Sequence, residues 1–234
     1  MYSAAMSSRF FFMDGGFGMI RGVLFDLDGT LVNTLDDIAC AMNRALRLHG
    51  LKEYAVKDYC YMVGNGARVL TDRAVGSRKE LAADVLKDYQ AYYETHNQVV
   101  SAPYSGIPEL LEALREQGLL CMVLSNKPDA DTRHVISHYF GDGLFTLVRG
   151  QKEGVPLKPD PAAALAEAAE AGLKPEEILY LGDTSVDVTC ARRAGMHAVG
   201  VTWGFRERQE LEEAGAEYII DRPEETLRLI ATIL

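Results

Sequence analysis

The chain has 234 residues, of which 48% are hydrophobic and 25% are charged, a globular composition that excludes disordered and collagen-like classes. The formal net charge of -10 at pH 7 argues against nucleic acids and anionic membranes as partners, because the long-range field repels both. No segment approaches the roughly 20 apolar residues of a membrane-spanning helix.

The cysteines form no C-x-x-C pair, which argues against a zinc site or disulfide framework and predicts a reducing, cytoplasmic environment. They are Cys40, Cys60, Cys121 and Cys190. Residues 1–18 only superficially resemble a signal peptide, because the apolar run from Phe10 to Met13 is short and is followed by Asp14. We expect these residues to be a flexible tail, an expression remnant or the product of an upstream start codon.

The first predicted element is a buried strand near residues 23–28, where the run Val23-Leu24-Phe25 ends in acidic residues. Residues 35–98 are predicted to be entirely helical. The first of these helices follows Thr34, a candidate N-cap residue, and a second begins at the capping pattern Ser77-x-x-Glu80.

After Pro103 helices and strands alternate. The predicted helices are 108–118, 129–139, 160–172, 186–195, 206–214 and 224–234. The predicted strands are 119–125, 144–148, 177–182, 197–202 and 217–220. This alternation predicts a Rossmann-like α/β core, a mostly parallel sheet with helices on both faces, formed by residues 19–34 and 99–234. Residues 35–98 are predicted to be an inserted helical cap, and ligands bind such sheets at the carboxyl ends of their strands.

The acidic residues after the first strand belong to the pattern D-x-D-G-T, formed by Asp26, Asp28, Gly29 and Thr30. This pattern is rare by chance at ordinary residue usage, and alternate carboxylates at a strand end point into one crevice. Three more short polar motifs follow in order along the chain, each at a predicted strand end or in a loop. They are Ser125-Asn126, Lys158, and Asp183 with Asp187.

The ordered motifs resemble those of the haloacid dehalogenase superfamily, and the resemblance extends from residue 20 to the end of the chain. The chain resembles the branch of this superfamily in which a helical cap is inserted between the first two motifs. The separation between Asp26 and Ser125 fits such an insertion, because it is longer than one βα crossover requires. The pair Asp28 and Asp183 argues against dehalogenation, which needs neither a second aspartate nor a metal. Gly182-Asp183 resembles the phosphatase form of the fourth motif rather than the Glu-Asp of sugar-phosphate mutases.

The residue types suit phosphoryl transfer. Asp26 is a candidate nucleophile, since an ionised carboxylate attacks phosphorus without a base. Mg²⁺, which prefers oxygen ligands, can bridge the phosphate to Asp26 and Asp183. Lys158 and Ser125 would orient the phosphoryl group, while Asp187 would hold a metal-bound water or orient Lys158.

The resemblance further implies a double role for Asp28. Its backbone carbonyl is expected to be a metal ligand, so that Asp26, Asp28, Asp183 and Asp187 form the predicted metal site. Its carboxyl group would then protonate the leaving alkoxide and afterwards accept a proton from the attacking water. The predicted chemistry is hydrolysis through an aspartyl-phosphate intermediate.

The segments Val63–Leu70 and Val201–Phe205 resemble phosphoglycolate phosphatases. Glycines at positions 64 and 66 would let a cap loop approach the substrate. Arg68 could pair with the carboxylate of 2-phosphoglycolate or, alternatively, be a solvated residue of a loop between two helices. Further candidate substrate-binding residues are Gly64, Asn65, Gly66 and Asn126.

The predicted substrate is a small anionic phosphorylated metabolite, with 2-phosphoglycolate favoured. Pyrophosphatase or broad phosphosugar phosphatase activity stays open, since fold resemblance does not choose a substrate. A catalytically silent binding protein is disfavoured because none of the charged motif residues is missing. A dinucleotide-binding module is disfavoured because no G-x-G-x-x-G follows the first strand. The sequence gives no oligomeric state.

Overall fold

A computed structural model describes residues 19–233. The predicted N-terminal tail, residues 1–18, and Leu234 lie outside the described residues. We call residues 35–98 the cap and the other described residues the core. The assignment of these two segments to separate domains stays a prediction.

The core is built on a parallel six-stranded sheet in the order β5-β4-β1-β6-β7-β8. Its strands are β1 (Gly22–Phe25), β4 (Leu120–Pro128), β5 (Leu147–Gln151), β6 (Ile178–Gly182), β7 (His197–Val201) and β8 (Tyr218–Ile220). All four residues of β1 are buried, as expected for a central strand that is covered on both faces. The predicted sheet, with its parallel strands, is confirmed.

Helices cover both faces of the sheet, and each face has its own apolar cluster. On one face lie α4 (Ile107–Glu116), α5 (Asp129–Phe140) and α9 (Glu225–Thr232). On the other face lie α6 (Ala162–Glu170), α7 (Ser185–Ala194) and α8 (Arg208–Ala214). No helix within residues 19–233 combines the length and the apolar character needed to span a bilayer.

The cap contains three α-helices that bury their apolar sides against one another. They are α1 (Leu35–Leu48), α2 (Gly66–Ala74) and α3 (Ala82–His96), with short 3-10 turns at Val56–Tyr61 and Lys79–Leu81. The cap is joined to the core through a small antiparallel pair, β2 (Val32–Asn33) with β3 (Ala102–Pro103). This pair holds the two crossings of the chain side by side.

The sequence-based elements differ from the structure in several places, including the strand predicted at 144–148, which lies at Leu147–Gln151. The pair β2–β3 was not predicted, because two-residue strands carry no periodic signal. The helix expected at Ser77 begins instead at Ala82 after a 3-10 turn. Strand β4 continues to Pro128 through an irregular register rather than ending at residue 125. Ser125 and Asn126 therefore lie within a strand.

Candidate active site

The polar residues of the predicted motifs lie together at the carboxyl edge of the sheet. β1 pairs with β4 on one side and β6 on the other, with Phe25 opposite both Val123 and Leu181. The residues that follow these positions, Asp26 and Asp183 among them, consequently leave the sheet close together.

Lys158 lies at the centre of the arrangement. Its ammonium group donates hydrogen bonds of 2.7 Å to Oδ1 of Asp26 and 2.7 Å to Oδ1 of Asp187, and one of 2.9 Å to the carbonyl of Leu124. Burial lowers the pKa of Lys158, but the carboxylates of Asp187 and Asp26 outweigh this effect and raise it overall. Lys158 is thus held as a buried cation against the candidate nucleophile.

Asp187 has both carboxylate oxygens occupied by protein donors. While Oδ1 accepts from Lys158, Oδ2 accepts from the hydroxyl of Thr184 at 2.6 Å and from its backbone N–H at 3.2 Å. Thr184 is the N-cap residue of α7, and the reciprocal bonds with Asp187 form a capping box. This geometry lets Asp187 orient Lys158, which is one of the two predicted roles.

Asp183 is fully buried beside a closely packed backbone. Its Oδ2 accepts a hydrogen bond of 2.7 Å from the N–H of Phe205. A Cβ atom at Gly29 or Gly204 would lie 2.3 Å from Asp183 atoms, closer than nonbonded atoms approach. These glycines therefore allow two loops to enclose the carboxylate.

Asp26, Asp183 and Asp187 each place a carboxylate oxygen within 4.8 Å of the others. Burial, opposed by Lys158 and reinforced by Asp187, raises the pKa of Asp26 to about 7. Burial and the charges of Asp187 and Asp26 raise the pKa of Asp183 well above its usual range. Three buried carboxyl groups face one ammonium group, and the raised pKa values reflect the cost of ionising them together, which a divalent cation bound by their oxygens would relieve.

The carboxylate of Asp28 points to other partners. Its Oδ1 accepts a hydrogen bond of 2.8 Å from Thr34, and both oxygens accept from Lys127 at 2.9 and 2.8 Å. Thr34 stands at the N-cap position of α1, but its hydroxyl makes no capping bond. Thr34 therefore has the predicted N-cap position, but its hydroxyl donates to Asp28 rather than accepting a bond from the helix.

Lys127 connects Asp28 to the cap. Besides its bonds to Asp28, the ammonium group donates a hydrogen bond of 3.0 Å to the hydroxyl of Tyr93 on α3. Burial lowers the pKa of Lys127, while Asp28 outweighs this effect and raises it overall. The sequence interpretation missed Lys127, although it directly follows Ser125-Asn126, because a lone lysine after a predicted strand end is normally solvated.

Ser125 and Asn126 have different roles in the geometry. Ser125 is buried, with its hydroxyl accepting a hydrogen bond of 3.2 Å from the N–H of Lys127. The amide of Asn126 donates to the carbonyls of Gly64 and Lys158 and accepts from the N–H of Lys158. Asn126 therefore joins the Lys158 loop of the core to the cap.

A cavity of about 60 Å³ lies between the core and the cap. A single water needs roughly 10–15 Å³, so the space suits a small ligand. The core side is lined by Asp26, Asp28, Ser125, Asn126, Lys127, Pro128 and Asp131. The cap side is lined by Ile38, Val63, Gly64, Gly66, Ala67, Leu70, Tyr89, Gln90 and Tyr93.

The predicted cap residues divide into two groups. Gly64 and Gly66 line the cavity, and both have positive φ angles, of 103° and 84°, which favour glycine. Asn65 and Arg68 are not among the lining residues. Arg68 is exposed on α2, and Asn65 accepts a hydrogen bond from Arg73. The structure does not bring Arg68 to the carboxylates, and its substrate role stays a prediction.

The family model for haloacid dehalogenase-like hydrolases matches residues 23–201. The chain belongs to this family. It is 33% identical over 215 residues to a phosphoglycolate phosphatase of Mannheimia succiniciproducens, covering 88% of this chain and 96% of the relative. A phosphoglycolate phosphatase of Aquifex aeolicus is 29% identical, with coverage of 90% and 97%.

Solved structures agree with these sequence relatives. A Haemophilus somnus protein described as a predicted phosphoglycolate phosphatase superposes with a TM-score of 0.85 at 30% identity, covering 92% of this chain and 99% of that one. A protein from Lactobacillus delbrueckii subsp. bulgaricus gives 0.83 at 29% identity with the same coverage. The prediction of a phosphoric monoester hydrolase that resembles phosphoglycolate phosphatases is confirmed.

Proposed function

We propose that the protein hydrolyses a small phosphomonoester, 2-phosphoglycolate, through a phosphorylated Asp26. The observation that carries this proposal is the position of Asp26 at the end of β1, bonded to Lys158 and within 4.8 Å of the carboxylates of Asp183 and Asp187. A nucleophile, a fixed cation and an acidic cluster are the parts that phosphoryl transfer requires.

In this mechanism Asp26 attacks phosphorus and forms the aspartyl phosphate. Lys158 positions the attacking carboxylate and supplies positive charge beside the equatorial phosphoryl oxygens. Ser125 offers a hydroxyl to the same group. Since Asp187 fixes Lys158 through a 2.7 Å bond, Asp187 acts as a positioning residue.

Asp26 and Asp183 would hold a divalent cation, proposed to be Mg²⁺, with the backbone carbonyl of Asp28 as a further ligand and Asp187 close by. When bound, the cation neutralises charge on the phosphate and on the acidic cluster. The convergence of three buried carboxyl groups, whose oxygens lie within 4.8 Å of one another, supports a cation at this place.

Asp28 is proposed to be the general acid and base. Its carboxyl group lies on the cavity wall beside Asp26, where it can protonate the leaving oxygen of an ester bound to Asp26. After the alcohol leaves, the ionised carboxylate can accept a proton from the water that attacks the aspartyl phosphate. Thr34 and Lys127 hold the group at this wall.

The small cavity and the relatives named phosphoglycolate phosphatase support 2-phosphoglycolate as the substrate. The products would be glycolate and phosphate. We also propose a cytoplasmic location, where such metabolites occur, and no macromolecular partner is required.

A panel of phosphate compounds tests the substrate assignment. We expect 2-phosphoglycolate to have the highest kcat/KM with Mg²⁺ in a panel that also contains pyrophosphate and several sugar phosphates. Reactions with excess chelator serve as the metal control. A tenfold preference for pyrophosphate or for a hexose phosphate would contradict the substrate, and full activity in chelator would contradict the metal.

A further inference from the structure

Lys127 occupies an unusual place on the cavity wall. Of the described residues that line the cavity, it is the single lysine or arginine, and it is only 7% exposed. Its ammonium group lies between Asp28 on the core side and the hydroxyl of Tyr93 on the cap side. A buried cation thus faces the space that the substrate would enter.

A substrate with a second anionic group would need this cation. The cavity wall also contains the carboxylates of Asp26, Asp28 and Asp131, which repel an anion at short range. Lys158 is bonded to two carboxylates, Asp26 and Asp187, and is not among the residues that line the cavity. Without a cation on the cavity wall, the second anion would enter an acidic and partly dehydrated space at a high cost.

Two other basic side chains near the cavity, Arg68 and Arg206, do not line it. Arg68 is exposed on α2. Arg206 is buried, but it pairs with Glu210 at 3.1 Å and donates to the carbonyl of Val63. Neither arginine is among the lining residues.

We propose that Lys127 binds the second anionic group of the substrate, a carboxylate adjacent to the phosphate ester, and thereby determines the preference for such esters. This proposal rests on the proposed phosphatase function. The specificity-determining residue is then the buried Lys127 rather than the exposed Arg68.

The connectivity of the substrate matches this position. In 2-phosphoglycolate one methylene group separates the ester oxygen from the carboxylate carbon. If Asp28 protonates that ester oxygen, the carboxylate lies next to Asp28, where the ammonium group of Lys127 already is. An ammonium group has three N–H donors, so Lys127 can exchange a bond to Asp28 for a bond to the substrate and keep its bond to Tyr93.

A pair of esters tests the proposal. 2-Phosphoglycolate is compared with 2-hydroxyethyl phosphate, which has a neutral hydroxymethyl group in place of the carboxylate. The readout is the ratio of the two kcat/KM values. A substitution of Lys127 that disturbs the neighbouring Asp28 affects the hydrolysis of both esters, so this effect cancels in the ratio. We expect Lys127→Met to lower this ratio at least about tenfold, since it removes a buried charge partner.

Lys127→Arg, which retains the positive charge, should keep more of the preference than Lys127→Met. If Lys127→Met does not fold, Lys127→Gln serves instead, because it offers a hydrogen-bond donor without charge. Thermal unfolding of each variant measures folding separately from specificity.

The outcomes separate the two levels of the proposal. Wild-type protein that hydrolyses neither ester would contradict the proposed function. Asp26-dependent hydrolysis of both esters, with the same ratio in wild type and Lys127→Met, would overturn the Lys127 proposal alone. A loss of preference in Arg68→Met but not in Lys127→Met would also overturn it and would assign the carboxylate to Arg68.

Discussion

The two walls of the cavity differ in chemistry. The core wall has carboxylates and a buried lysine, and hydrogen bonds from neighbouring loops hold these groups in place. The cap wall is mainly apolar, with side chains such as Ile38, Leu70 and Tyr89. The polar links between the walls are few. Among them are the bonds from Lys127 to Tyr93 and from Asn126 to the carbonyl of Gly64.

This difference indicates that the two walls have different functions. Charged groups that act on phosphorus need fixed positions, and the ends of the parallel strands provide them. An apolar cap wall excludes water and limits the size of the ligand, which strengthens electrostatic interactions at the core wall. Substitutions on the core wall should therefore reduce turnover, and substitutions that loosen the cap should mainly reduce stability.

The largest effect is expected for Asp26→Asn. A neutral amide is a poor nucleophile, so kcat should fall by at least about a thousandfold, in the range seen when catalytic nucleophiles are removed. Steady-state kinetics with 2-phosphoglycolate measure the loss. Appreciable turnover in a preparation free of contaminating phosphatase would place the nucleophile at another residue.

Asp183→Asn tests the metal site of the core wall without an activity assay. Mg²⁺ that binds the folded protein should raise the melting temperature of the wild type. The variant should lose most of this rise, because an anionic oxygen ligand is removed. Glu176→Gln, at an exposed position, is the control. An equal rise in wild type and Asp183→Asn would contradict the assigned ligand.

Asp37→Ala tests how the cap is attached. The carboxylate of Asp37 on α1 accepts hydrogen bonds from the backbone N–H groups of Val99, Val100 and Ser101, where the chain returns to the core. Removing it leaves three backbone N–H groups without this partner, of which that of Ser101 is buried, so the free energy of unfolding should fall by about 1–3 kcal/mol. Denaturant unfolding measures this change, and the exposed Asp36→Ala is the matched control. Equal stability of both variants would show that Asp37 does not secure this segment.

A smaller effect is expected at Glu167, which is buried on α6 and is not among the residues that line the cavity. Burial raises its pKa to about 8, and neither carboxylate oxygen has a hydrogen-bond partner among the described residues. The raised pKa favours the protonated form in the folded state, so this contribution to stability is complete below about pH 4.5 and is lost as the pH rises towards 8.

Glu167→Gln should therefore melt at a higher temperature than wild type at pH 8 to 9 and at a similar temperature near pH 4.5. The corresponding difference in the free energy of unfolding should not exceed a few kcal/mol, given about 1.4 kcal/mol per pKa unit. Melting curves across this pH range, with Glu176→Gln as control, test the expectation. A constant difference at every pH would contradict the ionisation account.

The sequence was most informative about the core. Parallel strands bring their carboxyl ends to one edge, so ordered motifs at strand ends predict a common site, and Asp26, Lys158, Asp183 and Asp187 do lie together. The partners of these groups were harder to predict. Lys127 becomes buried because β4 continues past residue 125, and no periodic signal marks an irregular polar strand end.

The cap shows a second reason for incomplete prediction. The glycines at positions 64 and 66 predict a loop, in which any side chain can turn to a ligand, but α2 begins at Gly66. Gly66 and Leu70 line the cavity, and positions four apart share one helix face. Arg68 lies two positions from each, on the opposite side at about 100° per residue. Its exposure follows from the helix.

The most direct test of the mechanism uses Asp28→Ala with p-nitrophenyl phosphate. The nitrophenolate leaves without protonation, so the variant should still phosphorylate Asp26 but hydrolyse the intermediate slowly. Rapid mixing should show a burst of at most one equivalent of nitrophenolate per site, and acid quenching should trap a phosphoryl group on the peptide that contains Asp26. 2-Phosphoglycolate, with its poor alkoxide leaving group, should give slow turnover and no burst. Kinetics identical to wild type on both esters, or a phosphoryl group on another residue, would contradict the account.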